Sequence, residues 1–219
     1  WVKPNSIGSV QGVMGKYSNN GWGMNINSNG KPNFGMHSCS NFDSSTTLTT
    51  DGWYHLTMVY DEDGSELIYV DGELDGSGSL TDGNCGSDSS DVVIGIYRTT
   101  GYFNGSIDEV VIYNDALTPS EVQELYKAGL SQHADTNITL QTRTANSYNL
   151  SDSGLVGLWG LNGDANDETG RNDGSCTNCP SYLEASGVVG EGGSFDGEDD
   201  CLTHSALGEL SHYKNFSVS

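Results

Sequence analysis

Gly105-Ser-Ile-Asp-Glu-Val-Val-Ile-Tyr-Asn-Asp-Ala-Leu-Thr-Pro-Ser-Glu-Val-Gln-Glu-Leu-Tyr-Lys-Ala-Gly129 changes period halfway along. Ser106 to Tyr113 is rich in β-branched and aromatic residues and reads as a strand. Thr118-Pro119-Ser120-Glu121 is then a capping box with proline at the first helical position. The Thr118 hydroxyl can accept from the Glu121 amide while the Glu121 carboxylate reaches back. Val122, Leu125 and Tyr126 recur at helical spacing, and Gly129 is expected to close the helix. The stretch therefore predicts one strand followed by one short amphipathic helix.

Upstream the chain is punctuated by Asx-Gly pairs, among them Asn29-Gly30, Asp51-Gly52, Asp63-Gly64 and Asp71-Gly72. Such pairs accept positive φ and favour tight antiparallel turns. Short strands are predicted over Gly12–Lys16, Trp22–Asn27, Pro32–Met36, Trp53–Tyr60, Glu66–Val70 and Val92–Ile96. Downstream, residues 131–153 are rich in Ser, Thr, Asn and Gln and carry no strong core pattern. They read as a linker. Strands resume at Gly154–Trp159, Gly193–Phe195 and Cys201–Thr203. The fold class is all-β, an antiparallel sandwich with one helix.

These residues resemble a known family. Gly105 to Gly129, with Trp53-Tyr-His-Leu and Leu67-Ile-Tyr-Val-Asp-Gly72, resembles the close of a laminin-G-like, concanavalin-A-like jelly roll. Leu155-Val-Gly-Leu-Trp159, Asn162-Gly-Asp-Ala-Asn-Asp167 and Gly193-Ser-Phe-Asp-Gly-Glu-Asp-Asp200 look like the opening of the same fold. The resemblance implies a rotated order, with the later two-thirds of a domain in 1–130 and its opening third in 154–219. Phe216-Ser-Val-Ser219 and Trp1-Val-Lys-Pro4 read as two pieces of one strand, and neither half ends an element. Trp1, Val2, Phe216 and Val218 are therefore the candidate assembly residues. They complete the sheet either of their own chain or of the next copy, head to tail.

Lys plus Arg number 8 against 30 Asp plus Glu, a net charge of −22. That surface repels nucleic acid and anionic membranes and attracts divalent cations. No apolar run is long enough to span a bilayer. The five cysteines, at 39, 85, 176, 179 and 201, leave one thiol over. Cys39 with Cys85 is the expected disulfide, and Cys176 with Cys179 a possible short-loop one. Sequons at Asn104, Asn137, Asn149 and Asn215 join the cysteines and acidity in pointing to an extracellular, cell-surface location.

Hydrolytic chemistry is not expected. Glycosidases of this architecture need acid and nucleophile on one strand, as Glu-x-Asp-x-Glu, and the chain has no such run. His55, beside Trp53 and Tyr54, reads as packing. Calcium is the expected cofactor, since a hard cation gathers six to eight oxygens. By resemblance, Asp108 would meet the Asn162–Asp167 loop, with Asp196 nearby, so Asn162, Asp108, Asp167 and Asp196 are the candidate ligands. The acidic loop of pentraxin-type calcium sites would fall between Ile96 and Phe103. Here it reads Tyr97-Arg-Thr-Thr-Gly-Tyr102, without a carboxylate, so that mode is not expected. Glycans would need exposed aromatics on a concave face, for which Trp22, Tyr54, Tyr60, Tyr97 and Tyr102 are candidates. The leading reading is a non-enzymatic adhesive repeat that assembles with copies of itself. The alternative is a calcium-dependent carbohydrate-binding module of a secreted protein.

Overall fold

A computed structural model describes residues 1–17, 21–36, 39–61, 63–80, 90–133, 154–183, 187, 190–204 and 216–219. In chain order its elements begin β1 (Val2–Pro4), β2 (Gln11–Gly15), β3 (Trp22–Ile26), β4 (Pro32–Met36), β5 (Phe42–Asp43) and β6 (Leu56–Tyr60). Next come β7 (Ser65–Val70), β8 (Glu73–Ser79), β9 (Val92–Ile94), β10 (Ile96–Tyr97), β11 (Gly101–Tyr102), β12 (Asn104–Ile107), β13 (Val110–Tyr113) and α1 (Pro119–His133). The last are β14 (Leu155–Trp159), β15 (Ser181–Leu183), β16 (Gly192–Asp196), β17 (Leu202–His204) and β18 (Phe216–Val218).

Two six-stranded antiparallel sheets, ordered β17-β9-β2-β3-β4-β5 and β14-β13-β18-β6-β7-β8, enclose the core. A four-stranded sheet, β1-β12-β16-β15, and the hairpin β10-β11 complete the strands. The period of two sorts each strand. Trp22, Met24 and Ile26 of β3, Phe34 and Met36 of β4, Met58 of β6, and Ile68 and Val70 of β7 meet in one buried cluster. Phe34 is fully buried, and its truncation to alanine is expected to cost roughly 3–5 kcal/mol. On the outer face of the second sheet, Val59 and Tyr69 pack against Val122 of α1. The capping box forms as expected, with the Thr118 amide donating to Glu121 Oε2 at 2.7 Å.

Three local expectations need correction. Ser106–Tyr113 is not one strand: β12 pairs with β1 and β16, and β13 with β14 and β18. The chain changes sheets at Asp108-Glu109, where Glu109 takes φ 50° and its amide donates to Asp108 Oδ1 at 2.8 Å. Val92–Ile96 likewise breaks at Gly95, which at φ 87° leaves room for the Phe195 ring. Gly129 does not end the helix, which runs on to His133. A Cβ at Gly129 would lie 2.4 Å from Trp1 Cζ2, so this glycine serves close packing rather than termination.

Strands from 154–219 are laid into the same sheets as those from 1–130. β18 sits between β6 and β13 of its own chain, with Val218 opposite Met58 on one side and Ile112 on the other. Beyond it, the Ser219 amide donates to Val111 O at 3.0 Å and the Val111 amide to Ser219 O at 2.8 Å. Trp1 nitrogen donates to Asp108 O at 2.9 Å, and the Asp108 amide returns a bond to Trp1 O at 3.0 Å. The two segments meet at His55: its Nε2 lies 2.7 Å from Ser219 Oγ, and its ring is 5.0 Å from that of Trp1. His55 is buried, and burial holds its imidazole well below the ordinary value. Trp1, Val2 and Val218 are all buried.

Candidate functional site

The alternation that sends Trp22, Met24, Phe34 and Met36 inward sends Gly23, Asn25, Asn33 and Gly35 to the other face. Register makes these four a patch, because Gly23 lies opposite Gly35 and Asn25 opposite Asn33. Cys39, Ser40 and Asn41 from the turn after β4 wall it on one side. Tyr97 and Arg98 of the β10-β11 hairpin wall it on the other. The resulting groove holds about 360 Å³.

Its polar groups are held by a network. Asn33 Nδ2 donates to Asn41 Oδ1, to Phe42 O at 2.9 Å and to Asp43 Oδ1 at 2.8 Å. Three acceptors around one nitrogen settle the orientation of that amide, leaving its carbonyl oxygen as the group it can offer a ligand hydroxyl. Asn25 Nδ2 donates to Asn27 Oδ1 at 3.0 Å, and Asn27 Nδ2 to Asp43 Oδ1 at 2.6 Å. On the wall, Ser40 Oγ donates to Glu66 Oε1 at 2.6 Å.

The aromatic wall has its own support. Tyr17 packs edge-on against Tyr97 at 5.0 Å, and its hydroxyl donates to Met14 O at 2.9 Å and Met24 O at 3.1 Å. Burial, with Tyr97 beside it, pushes that phenol well up, so it donates as the neutral form. A Cβ on Gly23 would come within 2.3 Å of the Tyr17 ring. The glycine is what lets the ring lie there. Of the five aromatics singled out for glycans, only Tyr97 is among the lining residues. Trp22 belongs to the core, and Tyr54, Tyr60 and Tyr102 are half-buried outside the groove. Asn25 and Asn33 were not anticipated. Their signal is an amide on the outward phase of Trp22–Ile26 and Pro32–Met36, paired across two strands.

Among the described residues, Asp108, Asp167 and Asp196 do not gather into one acidic group. Asp167 is buried, and donors from its own turn and from Leu158 of β14 surround it. Its Oδ1 accepts from the Leu158 and Thr169 amides, both at 2.9 Å, and Oδ2 from Thr169 Oγ1 and the Asn172 amide. Burial alone would raise this carboxyl, but the donors outweigh it and hold the acid below its ordinary value. Asn162 Oδ1 accepts from the Glu191 amide at 2.9 Å, and Asp108 bonds its neighbour's amide. Among the described residues, the acids that do converge are Asp196, Asp199 and Asp200, with one oxygen from each within 4.8 Å of the others. Burial raises the Asp200 carboxyl, and the charges of Asp196 and Asp199 add to it. An all-oxygen set strained by like charge fits a hard divalent cation.

Cys176 and Cys179 form a disulfide, and Cys201 carries a free thiol. Cys39 is disulfide-bonded, and its expected partner Cys85 lies outside the described residues. Asn104 lies on β12, where its Nδ2 donates to Asp196 O at 3.0 Å. The other sequon asparagines, Asn137, Asn149 and Asn215, also lie outside the described residues. Among the described residues, no helix is long and apolar enough to cross a membrane.

Residues 1–123 match the model of the Concanavalin A-like lectin/glucanases superfamily, in its laminin-G form. A human adhesion G-protein coupled receptor, D1, is 31% identical over 93 residues, which span 40% of this chain and a tenth of that receptor's length. A solved structure of a candidate carbohydrate-binding protein from Bacteroides ovatus superposes with a TM-score of 0.57 at 18% identity. The match covers 89% of this chain and half of that one.

Proposed function

This chain belongs to the Concanavalin A-like lectin/glucanases superfamily, and we propose that it is a non-enzymatic, extracellular adhesion module that binds saccharide in the β3-β4 groove. The observation that carries this reading is the cross-strand pair Asn25–Asn33 beside the glycine pair Gly23–Gly35, walled by Tyr97. Amides serve both donors and acceptors among sugar hydroxyls, while an aromatic ring covers the apolar face of a pyranose. Among the described residues the lining holds no carboxylate, which suits binding rather than glycoside hydrolysis. The test is retention on a panel of immobilised polysaccharides. Tyr97→Ala and Asn41→Ala are expected to weaken binding about tenfold with melting temperature unchanged. Binding indifferent to both substitutions overturns the assignment.

Calcium belongs to the same proposal, with Asp196, Asp199 and Asp200 as its ligands and a role in stability rather than in contact with sugar. So does a division of the chain into 1–130, a linker over 131–153, and 154–219. One observation favours a second reading, assembly head to tail. β18 occupies the middle of a sheet, a slot that the corresponding strand of another copy fits equally well, as in domain exchange. Light scattering across a concentration series separates the two. A mass that stays at 23.3 kDa supports the self-closed module, and a growing ladder supports exchange.

A further inference from the structure

Three of the cysteines meet at one corner of the fold. Cys176 and Cys179 are bonded to each other, and Cys201 carries a free thiol. The turn ahead of β17 is clasped to the loop inside that disulfide. Asn178, between the two bonded cysteines, accepts from the Cys201 amide on its carbonyl at 3.4 Å, and its Nδ2 donates to Asp199 Oδ2 at 2.9 Å. Next to this contact, Ser175 and Thr203 exchange backbone bonds at 2.9 and 2.8 Å. An amide bonded to the Asn178 carbonyl brings its own Cα to about 5–7 Å from the Cα of the following residue, Cys179, which is the span a disulfide bridges. The two bonded cysteines have different surroundings. Cys179 is exposed, whereas Cys176 is half-buried against the main core cluster.

We infer that the Cys176–Cys179 disulfide is exchangeable, with Cys201 as its nucleophile and a Cys179–Cys201 disulfide as the second form of the protein. The Cys201 sulfur, its proton given to water, attacks Cys179 Sγ. The Cys179–Cys201 bond forms as the Cys176–Cys179 bond breaks, and the electron pair leaves on Cys176 Sγ, which takes up a proton. One thiol and one disulfide stand on each side of the step, so it consumes no oxidant or reductant. Attack falls on Cys179 because it is the accessible partner, and because the product suits the site. The released Cys176 thiol stays against apolar side chains, where a thiol packs as a small hydrophobe. The new bond joins residues 179 and 201 in place of 176 and 179, and the longer loop restricts the unfolded chain more. It also ties β17, an edge strand, and the Asp196–Asp200 turn ahead of it covalently to the 176–179 loop.

The experiment is disulfide mapping of the whole folded chain. The protein is held at about pH 8, then quenched and digested with pepsin at about pH 2, where thiols are protonated and exchange stops. The wild type is expected to give both the 176–179 and the 179–201 linked peptides, the second in about a tenth of the molecules or more, with Cys176 as the free thiol of that fraction. Cys201→Ser should give the 176–179 link alone. Cys176→Ser, treated with oxidised glutathione, should close Cys179–Cys201 in nearly every molecule. A wild type that shows only the 176–179 link overturns the inference, and so does Cys201 found bonded to a second chain. Cys179 and Cys201 both left open in a folded Cys176→Ser would mean that the two sulfurs do not reach each other, and overturns it as well. Should Cys176→Ser fail to fold, the wild-type map decides alone.

Discussion

The turn around Asp167 and the turn from Asp196 to Asp200 carry the same signal, acids interleaved with glycine and asparagine at the end of a strand. They differ in who answers the charge. Asp167 is met by donors from Leu158, Thr169 and Asn172, which together hold its carboxyl low. Asp196, Asp199 and Asp200 instead face one another, and the like charges help to hold Asp200 high. An acid already wrapped by amides is part of the fold. At the second turn the donors are fewer per acid: Asp196 Oδ1 accepts from the Glu198 and Asp199 amides, Asp200 Oδ2 from the Asp196 amide and Asp199 Oδ2 from Asn178 Nδ2, so the acids that converge there still gain from a cation.

The contrast is sharpest on removing each side chain. Asp167→Ala leaves the buried amide of Leu158 and the part-buried amides of Thr169 and Asn172 without their acceptor and is expected to cost about 3 kcal/mol. Thermal melting should show the same loss with calcium and with chelator. A loss that calcium rescues would make Asp167 a ligand after all.

The next largest effect is calcium itself. A hundredfold excess over Kd is expected to add about 2.7 kcal/mol to the wild type. Asp199→Asn, at an exposed position, should abolish that gain while leaving the calcium-free stability nearly unchanged. A wild-type melting temperature that does not move on chelation would reduce this cluster to an ordinary turn.

The sandwich, the helix and most strand positions were legible because period and turn chemistry are local. The sites were less so. Asp108, Asp167 and Asp196 look alike along the chain, and what separates them is which backbone amides the turns bring round. The groove escaped for a related reason: Asn25 and Asn33 become a pair only through the β3-β4 register. Trp22 was a plausible glycan stacker until the phase of β3 turned it into the core. Glu73–Ser79 carries Gly76 and Gly78, a residue type that marks turns elsewhere in the chain, yet it pairs along β7 as an edge strand. There the glycines leave room for Ser44 and Phe42.

Acid titration reads the same contrast with opposite signs. Asp167 is lowered in the folded state, so its contribution is present above its ordinary value of 3.8 and is lost as pH falls through the folded value. Asp200 is raised, so its contribution is present below 3.8 and is lost as pH rises through the folded value. Between pH 5 and pH 3, Asp167→Asn should therefore flatten the loss of stability seen in the wild type, and Asp200→Asn should steepen it. Each tenfold difference in proton affinity corresponds to about 1.4 kcal/mol. Parallel profiles for the two variants would erase the distinction.

Glu66 is the intermediate case and carries the smallest effect. It is fully buried in β7 with one donor, Ser40 Oγ, on Oε1, and no partner on Oε2 among the described residues. Burial raises its carboxyl, against the pull of the Ser40 bond. A raised acid contributes stability below its ordinary value of 4.5 and loses it as pH climbs through the folded value, so at pH 7 the site is under strain. Gln in place of Glu keeps the acceptor for Ser40 and is neutral at every pH. Glu66→Gln is thus expected to raise the melting temperature at pH 7 by about 2–4 °C, the response of a domain this size to roughly 1 kcal/mol. At pH 4 the gain should vanish. A gain of equal size at both pH values would mean that packing, not charge, distinguishes this acid from the two turns. Because Ser40 walls the groove, the same variant should leave saccharide retention intact at pH 7.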